Sequence, residues 1–186
     1  MKNSKILAFA LLSIFTFSSC NNDDPIAVNE EELITTVTTT LTSAGSPTIT
    51  MISRDLDGDG PNSPVVTASG NLSINTTYNG AVTFKNESVT PIEDITVEIK
   101  EEGDEHQLFF QTVAAIGAFT YADADKNGKP LGLAFTLKTG TAAATGDIIV
   151  VLRHMPIKNA AGVAGGSITN AAGNTDAQVK YSVVLR

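Results

Sequence analysis

The stretch Leu33-Ile34-Thr35-Thr36-Val37-Thr38-Thr39-Thr40-Leu41-Thr42 decides the fold. It is dense in β-branched residues, whose stiff side chains favour a pleated surface over a helix. Val37, Thr39 and Leu41 alternate with Thr36, Thr38 and Thr40, so the segment reads as a strand with one apolar and one hydroxyl-bearing face. Working outward, similar runs occupy 48–53, 65–74, 78–85, 107–113, 119–122, 131–138, 148–153 and 178–185. Turn-forming clusters punctuate them: Ser43 to Pro47, Asn79-Gly80, Lys126 to Pro130 and Thr145-Gly146-Asp147. About nine short strands with hairpin-length connections predict a mainly β chain, an immunoglobulin-like β-sandwich over residues 30–186.

One segment breaks the strand period. Thr90-Pro91-Ile92-Glu93 fits a capping box with proline at the first helical position, and Ile92, Ile95 and Ile99 recur at helical spacing. The pattern predicts one short helix over about 91–102, against a competing strand reading in which Ile95, Val97 and Ile99 alternate. The Gly-, Ala- and Asn-rich segment 159–175 reads as a long surface loop.

The 186 residues carry 42% apolar and 17% charged side chains, enough apolar content for a folded core. No tryptophan and 6% aromatics make that core chiefly aliphatic. The formal net charge of −8 repels phosphate backbones, which argues against nucleic acid as a partner.

Lys2 and Lys5, the apolar run from Ile6 to Phe15, and Ser18-Ser19-Cys20 form the three regions of a secretory signal peptide over 1–19. The run is shorter than the roughly 20 apolar residues of a membrane span. Cys20 is the single cysteine of the chain, directly after two small serines. That placement resembles the bacterial lipobox, in which the cysteine becomes the diacylated first residue of the mature protein. Acyl chains there would hold the protein on a bilayer, and would spend the thiol that a disulfide, catalysis or metal ligation requires. Residues 20–29 read as a lipidated tether. Its Asn21-Asn22-Asp23-Asp24-Pro25 patch resembles the export signal of Bacteroidota surface lipoproteins, so an outer-membrane, surface-exposed location is expected. Cleavage would remove two of the 12 basic residues and none of the 20 acids, making the exported chain more acidic still.

Two sets of residues have the chemistry of a cation site. Asp55, Asp57 and Asp59 with Gly60, and Asp123, Asp125 and Asn127 with Gly128, follow the D-x-D-x-[D/N]-G spacing of calcium loops. The twelfth position, where such loops supply a bidentate glutamate, holds Val66 in the first and Ala134 in the second, and plain Asx turns share the composition. The second set rests on the two histidines. If the helix runs past Gly103, Glu98, Glu102 and His106 fall on one face, and His154 from a strand end could complete a shell for zinc or another divalent metal. A row of acids on a helix is otherwise a solvated face, and Gly103 is a natural helix terminator. No G-x-S-x-G, H-E-x-x-H or phosphate-cradling motif occurs, so a non-enzymatic role is expected.

The segments Glu30 to Val37, Asp55 to Pro61, Asp104 to Gln107, Asp123 to Gly128 and Leu152-Arg153-His154 together resemble a family of small flavobacterial surface lipoproteins of unknown function. The resemblance runs over nearly the whole mature chain. Members often carry the label "type 1 periplasmic binding fold superfamily protein", although a two-lobed arrangement of β-α-β units differs from the strand-and-turn pattern read here. The resemblance implies a lipid-anchored protein whose acidic-histidine and Asp/Gly segments belong to the family pattern. The expected function is a surface binding module that takes a metal ion, zinc or calcium, or a small ligand for an outer-membrane transporter. The alternative is a structural or adhesive lipoprotein whose Asp/Gly loops are turns, plain or calcium-stiffened.

Overall fold

The computed structural model describes residues 33–58 and 60–186. The signal and tether segments, Cys20 and Asp59 lie outside the described residues. Nine strands follow in order: β1 (Thr36–Ser43), β2 (Ser46–Arg54), β3 (Val65–Ala68), β4 (Thr77–Lys85), β5 (His106–Thr112), β6 (Gly117–Tyr121), β7 (Ala134–Thr139), β8 (Ala144–His154) and β9 (Asn174–Leu185). One helix, α1 (Ile95–Glu101), links β4 to β5, and a 3-10 turn, Val163–Gly165, interrupts the β8–β9 connection.

All strand pairs are antiparallel, in a six-stranded sheet of order β3-β2-β1-β4-β7-β6 and a three-stranded sheet of order β5-β8-β9. Strands β1, β4, β7 and β6 reproduce the A-B-E-D order of a constant-type immunoglobulin domain, and β5, β8 and β9 its C-F-G sheet. The hairpin β2–β3 extends the larger sheet beyond β1. The immunoglobulin-like sandwich expected from the alternation is therefore the observed fold.

Alternation fills the core. Along β1, Val37, Thr39 and Leu41 are buried, and β4 buries every second residue from Tyr78 to Phe84. They meet Leu108 of β5, Ile148, Val150 and Leu152 of β8, and Tyr181, Val183 and Leu185 of β9. Tyr181 Oη donates to the Val37 carbonyl at 3.1 Å, a bond from the smaller sheet to the larger, and burial pushes this phenol up to about 12.

Three local expectations are corrected. Asn79-Gly80 lies within β4 instead of forming a turn: a Cβ on Gly80 would sit 2.2 Å from the Phe135 ring, so glycine is there to let the ring lie on the strand. Thr145-Gly146-Asp147 likewise belongs to β8, with Gly146 making room for Ile116. The helix starts at Ile95 with Asp94 as its cap, because Asn86 and Glu93 already exchange both backbone hydrogen bonds, each 3.1 Å, and close that connection first. The 159–175 segment is the expected surface connection, anchored where Val163 and Ala171 form a second small core with Phe109 and Val151. Buried Gln107 fastens this segment, its Nε2 donating to the Val163 carbonyl and to Tyr121 Oη, each at 3.0 Å.

The β4–β5, β6–β7 and β8–β9 connections emerge at one end of the sandwich. There Lys158 reaches from the third to both others. Its ammonium donates to the Gly103 carbonyl at 2.5 Å, Asp125 Oδ2 at 2.8 Å and the Pro130 carbonyl at 3.1 Å.

Candidate metal centre

His106 opens β5 and His154 closes β8, directly opposite each other in the antiparallel register. Side chains opposite each other across a ladder share a face, so the two imidazoles meet. The rings stack with centroids 4.8 Å apart and planes within 10°. A third ligand comes from β9. Leu152 pairs with Ala177 and Arg153 with Thr175, leaving Asp176 as the extra residue of a β-bulge. A bulge re-aims its side chain, and here Asp176 Oδ2 comes 3.7 Å from His106 Nε2. The ligand atoms of His106, His154 and Asp176 all lie within 4.8 Å of one another.

The electrostatics of His106 favour a ligand role. Its Nδ1 lies 3.2 Å from the Glu102 carbonyl, which can only accept, so Nδ1 carries the proton and Nε2 presents its lone pair. Burial, with a further contribution from His154, holds this imidazole below its ordinary value of 6.5, against the opposing pull of the Glu102 bond and the Glu102 and Glu105 carboxylates. At neutral pH a neutral nitrogen acceptor thus faces a carboxylate across 3.7 Å. A cation bonded at about 2.0 Å to each fits that gap. Adjacent ligands of a tetrahedral zinc lie about 3.3 Å apart, so loading would draw the widest pair in by about 1.5 Å. Glu105, 43% exposed and 3.9 Å from His154 Nε2, stands at the rim.

The sequence-derived residues sort as follows. His106 and His154 lie together, and Asp176 joins them without a signal in the sequence pattern. Glu102 contributes its backbone carbonyl and not its carboxylate. Glu98 is exposed on α1, and neither glutamate belongs to the three-residue group. The reason is that α1 ends at Glu101 and the chain turns through 102–105, so the face that would have aligned Glu98, Glu102 and His106 does not exist.

The Asp/Gly loop at 123–128 is a stapled turn. Asp123 accepts from the Gly132 and Ala134 amides at 2.6 and 2.9 Å, and Asp125 Oδ1 from Asn127 and Lys129 at 2.8 and 2.9 Å. Asp125 Oδ2 takes the Lys158 ammonium, so a side-chain cation already sits where calcium would. In the other loop Asp57 Oδ2 accepts from the Asn62 amides, backbone and side-chain, which hold this carboxyl low, whereas burial and Asp57 push Asp55 up. Among the described residues, His106, His154 and Asp176 form the one group of three ionisable ligands able to share an ion.

A hollow of about 200 Å³ lies elsewhere, lined by Phe110, Phe119, Tyr121, Gly165 and Gly166 among others, and shares no residue with the centre. Comparison with protein-family models, with curated proteins and with solved structures gives no match.

Proposed function

We propose that this chain is a lipid-anchored, cell-surface binding module, non-enzymatic, that captures a divalent transition metal for an outer-membrane uptake system. The observation that carries the reading is the pinned His106 Nδ1, which turns the Nε2 lone pair toward Asp176 at 3.7 Å beside the stacked His154. Two imidazoles and one carboxylate suit zinc, copper or nickel, whereas calcium takes 6 to 8 oxygens. Three protein ligands leave a coordination position for solvent or for a transfer partner. The lipobox-like Cys20 and the acidic residues after it support the surface location. A second reading, a structural or adhesive lipoprotein, is favoured by the way Asp123 and Asp125 spend their oxygens within the fold.

Calorimetric titration of the purified protein separates the two. We expect zinc or copper to bind with a Kd of about 1 μM or tighter, and calcium to give no comparable heat. Asp176→Asn, which removes a ligand and not merely an orienting partner, should weaken zinc binding by about 100-fold or more. Absence of zinc and copper binding would leave the structural reading standing.

A further inference from the structure

The connections around the centre contain a buried charge pair that the metal-binding reading does not use. Lys158 is 7% exposed, and the Asp125 side chain only 1%. The three ammonium protons have three acceptors, drawn from the β4–β5 and β6–β7 connections. Asp125 is satisfied on its other oxygen by two backbone amides. An interior ion pair of this kind is seldom the most stabilising choice, since apolar residues of similar volume often serve as well or better. Its geometry gives it another use.

Gly103, whose carbonyl Lys158 holds, stands between Glu102 and His106 in the turn that closes with Glu105 N donating to the Glu102 carbonyl at 2.8 Å. The same Glu102 carbonyl fixes Nδ1 of His106. On the other side, Lys158 lies on the segment that leaves His154, where Met155 N donates to the Glu105 carbonyl at 2.7 Å. Gly173, at φ +70, closes the far end of that connection, and a Cβ there would sit 2.1 Å from the His154 carbonyl. The segments bearing the two imidazoles are thus tied by the Met155–Glu105 backbone bond and, beyond it, by the Lys158 ammonium on the Gly103 carbonyl.

We propose that Lys158, held by Asp125, is a positioning residue for the metal centre: it fixes the 102–106 turn against the segment after His154, and so sets the tautomer and aim of His106. This inference rests on the metal-binding reading for its purpose, though not for its geometry. Lys158 touches no metal ligand itself and acts through the Gly103 and Glu102 carbonyls.

The test uses the double substitution Lys158→Met with Asp125→Leu, which removes both charges and leaves neither buried alone. The double variant should melt as cooperatively as the parent protein. Its zinc affinity should fall about tenfold or more, the range for residues that orient a ligand, and the visible absorption of the cobalt-loaded site should change. A metal-free readout accompanies these: the imidazole nitrogen shifts of His106 should report one fixed Nδ1–H tautomer in the parent and a tautomer mixture in the variant. Unchanged nitrogen shifts with parent-like zinc affinity would overturn the proposal. Unfolding of the double variant would overturn it too, by showing that the pair holds the fold and not the centre. A parent that binds no zinc yet shows the tautomer change would remove the metal reading and keep Lys158 as the positioning residue of His106.

Discussion

Replacing Lys158 alone with alanine should lower the unfolding free energy by about 3–5 kcal/mol, among the largest effects available to one substitution in this chain. The substitution leaves Asp125, with a side chain 1% exposed, as a buried carboxylate without its counter-ion. It also strips the hydrogen bonds from the Gly103 and Pro130 carbonyls. Chemical denaturation at pH 7 measures the loss. The pH dependence identifies its source. Burial alone would raise the Asp125 carboxyl, but the Lys158 ammonium and the Lys129 and Asn127 amides outweigh it and hold the group below 3.8. A carboxyl lower in the folded than in the unfolded state contributes stability above pH 3.8 and loses it as pH falls through the lowered value. The gap between parent and Lys158→Ala should therefore be widest at neutral pH and narrow in acid, where a protonated Asp125 no longer needs the ammonium. A gap independent of pH would assign the loss to packing instead.

Removing both imidazoles has the largest expected effect on binding. Orienting partners of metal ligands are worth tenfold to 100-fold, so each lost nitrogen ligand should cost at least about 100-fold, and His106→Ala with His154→Ala about 10,000-fold. Zinc titration against a competing chelator reads it. Because His106 is buried and stacked on His154, loss of both rings also leaves a cavity, so a cooperative melt of the variant accompanies the titration. Acid should act in the same direction. The His106 imidazole lies below 6.5 in the folded protein, so the folded chain takes up this proton less readily than the unfolded one. Its contribution to stability is present above pH 6.5, declines as pH falls toward the lowered value and is then flat. The His106 share of the zinc affinity should hold to a lower pH than an ordinary histidine allows, then fall about tenfold per pH unit.

Much of the fold is legible in the sequence because β1 and β4 bury one face with a period of two, whereas β5 and β8 also bury Phe109 and Val151 on their other face. The burial of alternate residues along β4 and the inward Val37, Thr39 and Leu41 of β1 follow directly from that. What misleads is glycine. Gly80 and Gly146 look like turn formers, yet they sit inside strands because the side chains of Phe135 and Ile116 need the space, a tertiary fact with no local signal. The helix starts later than the capping pattern predicts for a similar reason, since the bridge between Asn86 and Glu93 takes the backbone that a Thr90 cap would use.

The site was half legible. Two histidines in a chain of 186 residues invite pairing, and their strand-end positions made it plausible, but only the β5–β8 register puts them ring to ring. Asp176 was invisible because an alternating strand would turn it away from the face that Ala177 occupies, and the bulge that brings it back leaves no mark in composition. Lys158 reads as an ordinary loop lysine. Its burial depends on acceptors from two other connections, which no local pattern encodes.

The composition of the centre itself is open to direct measurement by X-ray absorption at the zinc edge on the zinc-loaded protein, alongside Asp176→Asn. The expected spectrum is that of a four-coordinate ion with two imidazole nitrogens at about 2.0–2.1 Å and a carboxylate oxygen at about 2.0–2.2 Å, losing the protein oxygen in the variant. A shell of oxygens alone, or a spectrum with imidazole signatures that Asp176→Asn leaves untouched, would contradict it.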